Sequence, residues 1–118
     1  MRNDKENIIV IKTLEFSLDI IKYCERLEEN RKYVISRQLL KSGTSIGANV
    51  REAQNAESKA DFIHKMKISA KEIDETEYWL TLCNLSEGYD NCETLIKKLE
   101  EINKIMSKII SSSKKASH

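Results

Sequence analysis

Proline is absent from this 118-residue chain, and glycine occurs only three times. Both residues favour turns, so a fold with many tight turns, such as a β-sandwich, does not suit this composition. The hydrophobic fraction of 40% and the charged fraction of 33% are instead typical of amphipathic helices. A domain of this length buries about two-thirds of the surface of its unfolded chain, so it needs no disulfide or metal for stability. We therefore expect a single all-α domain.

Cysteine and histidine are also scarce. Cys24, Cys83 and Cys92 are odd in number and lack Cys-x-x-Cys spacing, so neither a disulfide framework nor a zinc site is encoded. His64 and Asp61 form an Asp-x-x-His turn like those of bundle metal sites, but the second such motif of a di-iron bundle is missing. We expect reduced cysteines in the core, no metal and no cofactor.

Long apolar runs are absent as well. The longest near the start, Ile8 to Ile11, is too short for a secretory signal core or a membrane span. The sequence therefore predicts a cytoplasmic protein without a membrane partner. Because the formal net charge is only +1, any affinity for nucleic acid must come from a local basic patch.

Apolar residues recur at helical spacing in four segments, which we place at about 7–29, 32–56, 58–86 and 90–112, followed by a polar tail at 113–118. Short links join these segments, and short links make neighbouring helices antiparallel. The expected fold is an antiparallel up-down four-helix bundle.

Three capping signals in the sequence mark predicted helix ends. Ser58, with Asp61 three residues later, predicts the start of the third helix. Gly88 predicts its end, since glycine favours the residue after a helix C-terminus. Asp90 with Glu93 predicts the start of the fourth helix.

The first segment has more apolar surface than one bundle core requires. Its polar side chains cover a narrow strip, while apolar residues cover most of the remaining circumference. This surplus indicates a second buried contact, most simply with another copy of the chain. The third segment has a second apolar stripe of Ile68, Trp79 and Leu82. Trp79 is either an interface anchor or a side chain lying over its own bundle.

The second segment contains a run of small residues that at first suggests a loop. However, the apolar residues Ile35 and Leu39 before the run remain in helical phase with Ile46, Val50 and Ala53 after it. A loop would have disturbed that phase. We therefore predict one continuous helix across the run.

Gly43 and Gly47 lie within that predicted helix, where each weakens the helix by about 1 kcal/mol relative to alanine. Their spacing of four residues places them on one side, which indicates close approach of another helix, within the chain or in an oligomer. A phosphate-binding loop is the alternative, but the Gly-x4-Gly-Lys-Ser/Thr pattern is missing and no strand precedes the glycines.

Between Arg31 and Arg51 the sequence contains five basic residues and no acidic one. Arg37, Lys41 and Arg51 fall on one side of the predicted helix, opposite its apolar stripe. On a single helix such a face is by default a solvated surface. Repeated around a symmetric oligomer, such faces would form a positive belt, and the number of phosphate contacts would increase with the number of copies.

Acidic residues cluster in the third segment at Glu72, Asp74, Glu75 and Glu77. They point in several directions around the predicted helix, and no nucleophile or base accompanies them. We expect a solvated acidic surface that is available to basic residues of the same or a neighbouring chain. We predict neither an enzyme active site nor a small-molecule substrate.

Four stretches of the sequence resemble a known family: QLLKSGTSIGANVREA (38–53), SKADFIHK (58–65), AKE (70–72) and ETEYWL (75–80). In order and spacing they are similar to the four-helix-bundle 23S rRNA intervening-sequence proteins, also called the S23 ribosomal protein family. The resemblance extends over about residues 8–110.

This resemblance implies a ring-shaped homopentamer. Some members of the family are encoded inside insertions of large-subunit rRNA genes. A related branch, the accessory protein of diversity-generating retroelements, binds a reverse transcriptase and nucleic acid through a basic surface. By that similarity, Arg37, Lys41 and Arg51 become candidate nucleic-acid-binding residues. The leading hypothesis is a non-catalytic homopentamer that binds structured RNA or an RNA-processing protein. The alternative is a protein-interaction scaffold that binds no nucleic acid.

Overall fold

A computed structural model describes residues 7–115 of the chain, which form four helices and no β-strand. The helices are α1 (Ile8–Glu29), α2 (Tyr33–Ala53), α3 (Lys59–Leu85) and α4 (Glu93–Lys115). The expected all-α class is confirmed.

The helices pack as an antiparallel bundle. Helix α1 packs against α2 and α4, and α3 packs against the same two helices. Between α1 and α4, Lys12 pairs with Glu101 and Asp19 pairs with Lys98, so residue numbers rise along one helix as they fall along the other. The predicted four-helix bundle is therefore confirmed.

The core consists mainly of aliphatic side chains from all four helices, with two aromatic rings, Phe16 and Tyr23. The Tyr23 hydroxyl donates a hydrogen bond of 2.7 Å to the backbone carbonyl of Asp90. Buried side-chain nitrogen and oxygen atoms within residues 7–115 all have hydrogen-bond partners. Because unsatisfied buried polar groups are costly, this pairing supports a well-defined core.

Helix α2 is continuous through the run of small residues, as the apolar phase predicts. The run allows α2 and α3 to come close enough for direct hydrogen bonds. The Ser69 hydroxyl donates to the carbonyl of Ile46 at 2.8 Å, and the Thr76 hydroxyl donates to the Ser42 hydroxyl at 3.0 Å. Small polar side chains of α3 therefore connect that helix to the run in α2.

Gly43 and Gly47 bring α2 close to α1. A Cβ atom at Gly43 would lie 2.9 Å from Cγ2 of Ile20, and one at Gly47 would lie 3.3 Å from the backbone oxygen of Thr13. Gly43 is buried, so its contact lies within the chain, whereas Gly47 is only partly buried. Tight helix packing is thus the physical reason for glycine at position 43.

The predicted start of α3 agrees with the structure, whereas the predicted end of α2 and the predicted role of Gly88 do not. The Ser58 hydroxyl accepts a hydrogen bond from the backbone N–H of Asp61 at 3.0 Å, which confirms the start of α3. Helix α2 ends at Ala53 rather than 56, because the Gln54 side chain folds back and donates to the Val50 carbonyl at 2.9 Å. Gly88 has a left-handed φ of 83°, but it lies in the α3–α4 turn, beyond the end of α3 at Leu85.

The prediction for α4 is wrong at both ends. Helix α4 begins at Glu93, whose N–H is bound by the Asn91 side chain at 2.8 Å. Asp90 does not cap the helix, because its carboxylate pairs with Arg26 at 2.9 Å. Helix α4 continues to Lys115, so residues 113–115 are helical and only 116–118 of the predicted tail lie outside the described residues. Lysines near a helix C-terminus interact favourably with the helix dipole, which supports this extension.

Candidate functional site

The basic residues predicted on α2 lie together on its outer surface, which we call the basic face (Arg37, Lys41 and Arg51). All three side chains are exposed. Within residues 7–115 none of them forms an ion pair, whereas several other basic side chains do, namely Lys12, Arg26, Lys65 and Lys98. The basic face is therefore a set of cations that form no ion pair among the described residues.

Acidic residues of α3 border the basic face on one side. Burial raises the pKa of the Glu72 carboxyl group above its ordinary value, and the nearby charge of Glu75 raises it further. The positive charge of Lys41 acts in the opposite direction, which places Lys41 beside this acidic pair. The outer surface thus changes from positive to negative at the seam between α2 and α3.

An apolar groove borders the basic face on its other side, along the seam between α1 and α2. We call it the α1–α2 groove; its volume is about 310 Å³, and it is lined by Val10, Thr13, Leu14, Ser17, Leu18, Ile21, Thr44, Gly47, Ala48 and Arg51. Leu14 is 52% exposed and Leu18 is 53% exposed. The structure thus places part of the surplus apolar surface of α1 in this groove, with Arg51 at its edge.

The candidate residues of α3 are Ile68, Trp79 and Leu82, which we call the α3 stripe. Their side chains differ in how far they are buried. Ile68 and Trp79 are partly buried and Leu82 is exposed. The Trp79 indole N–H donates to the Glu75 carboxylate at 3.1 Å, and its ring packs partly against the core. Trp79 therefore lies over its own bundle while leaving part of its ring exposed beside an acidic residue.

A second aromatic and basic surface was not predicted from the sequence. Tyr33, the first residue of α2, is 50% exposed and follows Arg31 and Lys32. The Lys32 ammonium group lies 5.0 Å from the centre of the Tyr89 ring, so it connects the α1–α2 link to the α3–α4 turn. The only sequence signal is the order Arg-Lys-Tyr, which does not reveal that Tyr89 lies nearby.

The three cysteines are buried as free thiols. Burial raises the pKa of the Cys24 thiol and of the Cys83 thiol to about 11, and it also raises the pKa of the Cys92 thiol. Residues 7–115 contain no cluster of histidine, cysteine and acidic side chains that could hold a metal ion. None of the described helices combines the length and the apolar character required to cross a membrane.

We expect the three thiols to react slowly in the native protein. At pH 8 the thiolate is the nucleophile, and a pKa raised from 9.0 to about 11 lowers the thiolate fraction about 100-fold. An aromatic disulfide reagent should therefore label the folded chain at least ten times more slowly than the chain in denaturant. Immediate release of one chromophore equivalent by the folded protein would contradict this expectation.

Comparison with known proteins agrees with this architecture. The sequence profile of the family described as 23S rRNA-intervening sequence protein matches residues 5–109. The crystal structure of a protein of unknown function from the S23 ribosomal protein family of Bacteroides thetaiotaomicron VPI-5482 is similar, with 45% identity and a TM-score of 0.83 over 86% of this chain and 97% of that chain. No curated protein matches the chain. The sequence match and the shared fold together show that this chain belongs to the 23S rRNA-intervening sequence protein family.

Proposed function

We propose that this chain is a non-catalytic, homo-oligomeric RNA-binding protein whose basic face contacts RNA phosphates. The observation that carries this proposal is that Arg37, Lys41 and Arg51 are exposed on one helix without an ion-pair partner in residues 7–115. Such cations can neutralise phosphates and release their counterions without first breaking an internal salt bridge.

A single basic face would bind RNA weakly, and oligomerisation would increase the number of such faces. Three phosphate contacts provide limited affinity, but the free energy of binding grows with the number of phosphates neutralised. A homopentamer is the assembly that the family resemblance implies, and it would present five such faces. We propose that a structured RNA long enough to reach several faces binds more tightly than one that reaches a single face.

Assembly of identical copies into a ring requires two different surfaces on each chain. We propose that the α3 stripe of one copy docks into the α1–α2 groove of the next. Both surfaces are largely apolar, and their edges are complementary in charge, since Arg51 lies at the groove while Glu75 lies beside Trp79. Electrostatic complementarity of this kind favours one pairing of surfaces over others.

Changing Arg37, Lys41 and Arg51 to alanine tests the RNA proposal. Fluorescence anisotropy with a structured RNA should show an affinity that falls steeply as salt concentration rises. The triple variant should bind at least tenfold more weakly at low salt, and each lost phosphate contact should reduce the salt slope by about 0.7 to 0.9.

A matched control is the triple alanine variant of Lys97, Lys104 and Lys108, which removes the same charge from exposed positions on α4. We expect its RNA affinity to change much less. Equal losses in the two triple variants would indicate a general charge effect and contradict a specific role for the basic face. Because Arg51 also lines the groove, the mass of the Arg51→Ala protein in solution separates a loss of RNA contact from a loss of assembly.

The second candidate function is a protein-interaction scaffold. The α1–α2 groove favours it, because its lining is almost entirely apolar and it is open to an amphipathic helix of a partner. A pull-down with and without nuclease separates the two functions. A protein partner that is retained after nuclease treatment, together with no RNA affinity of the purified chain, would support the scaffold and overturn RNA binding.

A further inference from the structure

One surface combines exposed aromatic and basic side chains outside the basic face. We call it the Tyr33 corner (Arg31, Lys32, Tyr33 and Tyr89). A cleft of about 250 Å³ lies there and is lined by Arg31, Lys32, Tyr33, Val34, Ile35 and Tyr89. Tyr33 is 50% exposed. Half of an aromatic ring is thus accessible next to two cations.

Several contacts keep this corner ordered although it is formed by two connecting segments. The backbone N–H groups of Arg31 and Lys32 bind the carbonyl groups of Glu28 and Leu27 at 2.9 Å and 2.8 Å. Arg31 has a φ of 61°, a conformation that is uncommon for a residue other than glycine. This turn directs the chain sharply into α2, whose first residue is Tyr33.

The second connecting segment is fixed at the same end of the bundle. Lys32 lies over the Tyr89 ring at 5.0 Å, and the next residue, Asp90, is held by the Arg26 side chain and the Tyr23 hydroxyl. Because both segments are held, the backbone at Arg31 and the Lys32–Tyr89 pair are positioned before a ligand arrives. Such preorganisation lowers the entropic cost of binding.

The corner is continuous with the basic face. Tyr33 and Arg37 are four residues apart on α2, so their side chains project from the same side of the helix. A strand of RNA on the basic face that continues past Arg37 therefore reaches Tyr33 next. This continuity distinguishes Tyr33 from Tyr78. Tyr78 is 59% exposed on α3, but it directly follows the acidic residue Glu77 in sequence and is not next to a basic residue.

We propose that the Tyr33 corner binds an unpaired nucleotide of RNA, with the base stacked on the Tyr33 ring and Arg31 and Arg37 in contact with the flanking phosphates. This inference rests on the proposed function and specifies its ligand as RNA that contains single-stranded positions. Aromatic side chains stack on unpaired bases, whereas bases within a duplex are already stacked on one another.

The test measures the affinity of two RNA probes for the original protein and for three variants. The probes are a fluorescein-labelled oligouridylate, which remains unpaired, and a fully paired RNA duplex of the same length. Tyr33→Leu should weaken binding of the oligouridylate by about 5- to 100-fold, the range for loss of one stacked base, and should leave duplex binding unchanged. Tyr33→Phe keeps the ring and should bind both probes like the original protein. Tyr78→Leu is the matched control for the loss of an exposed ring. Because the Tyr78 ring packs edge-to-face on Trp79 at 5.4 Å, the mass of this variant in solution is measured first, and with an unchanged mass it should bind both probes like the original protein.

The outcomes separate this inference from the proposed function. The salt dependence of the Tyr33→Leu variant should remain unchanged, because no phosphate contact is removed. If Tyr33→Leu lowers the affinity for both probes equally, or for neither, the Tyr33 corner proposal is overturned while RNA binding by the basic face stands. If the original protein binds neither probe at low salt, both proposals are overturned.

Discussion

Replacement of Leu14 and Leu18 by glutamate is expected to convert the proposed oligomer into folded single chains. In a single chain the two side chains are 52% and 53% exposed, so the substitution leaves the core intact. In the proposed assembly the remaining exposed half of each side chain is buried, which contributes about 1 kcal/mol per leucine, roughly half the value for a fully exposed side chain. A carboxylate in the same place adds a desolvation penalty, because burying an unpaired charge is costly.

Light scattering coupled to size-exclusion chromatography measures this effect, with circular dichroism as the check that the chains remain helical. The matched control is the pair Asn103→Glu and Ser107→Glu, which are exposed, four residues apart on α4 and add the same charge. The control should retain the mass of the original protein. An unchanged mass for the Leu14 and Leu18 variant would show that the α1–α2 groove is not an assembly surface.

Trp79→Ala tests the opposite side of the proposed contact. If the α3 stripe docks into the groove, this variant should also lower the mass in solution, since large aromatic side chains contribute much to interfaces. If Trp79→Ala retains the assembly while the leucine variant does not, the groove is an interface but its occupant is another part of the neighbouring copy.

Gly43→Leu is expected to lower the free energy of unfolding by about 3 kcal/mol. Even a Cβ atom at this position would lie 2.9 Å from Cγ2 and 3.0 Å from Cγ1 of Ile20. Ile20 is fully buried, so it cannot move away without displacing other core side chains. The helix propensity of leucine offsets only about 1 kcal/mol of this cost.

Urea unfolding followed by circular dichroism measures this loss as a shift of the midpoint at an unchanged slope. Gln38→Leu is the matched control, since it places the same side chain at an exposed position of α2, and we expect a change within about 0.5 kcal/mol. Both variants are best compared at one protein concentration, because the proposed assembly would stabilise the folded chain by mass action. Equal stability of the two variants would contradict close packing at Gly43.

Sequence periodicity predicts the helices well where apolar residues remain in phase. The phase of Leu39, Ile46 and Val50 predicted an unbroken helix across the small residues, and α2 confirms it. Helix ends were less predictable because they depend on competing local partners. Aspartate is a favoured residue type at helix N-caps, yet the Asp90 carboxylate pairs with Arg26, a residue of α1 that is far away in sequence.

The candidate site was only partly predictable for the same reason. The positions of Arg37, Lys41 and Arg51 on one face follow from helical geometry alone. That Arg51 also borders an apolar groove depends on how closely α1 approaches α2, and that Tyr33 lies near Tyr89 depends on two connecting segments meeting at one end of the bundle.

By itself, the sequence determined the helical class, the four segments, the continuity of α2 and the charge of its outer face. These properties are set by side chains a few residues apart, whose relative positions are known once a helix forms. Only the tertiary structure decided which apolar residues of α1 remain exposed, which cations within residues 7–115 form no ion pair, and that Tyr33 and Tyr89 line one cleft. Those properties depend on the distances between helices, and such distances follow from the packing of the whole core.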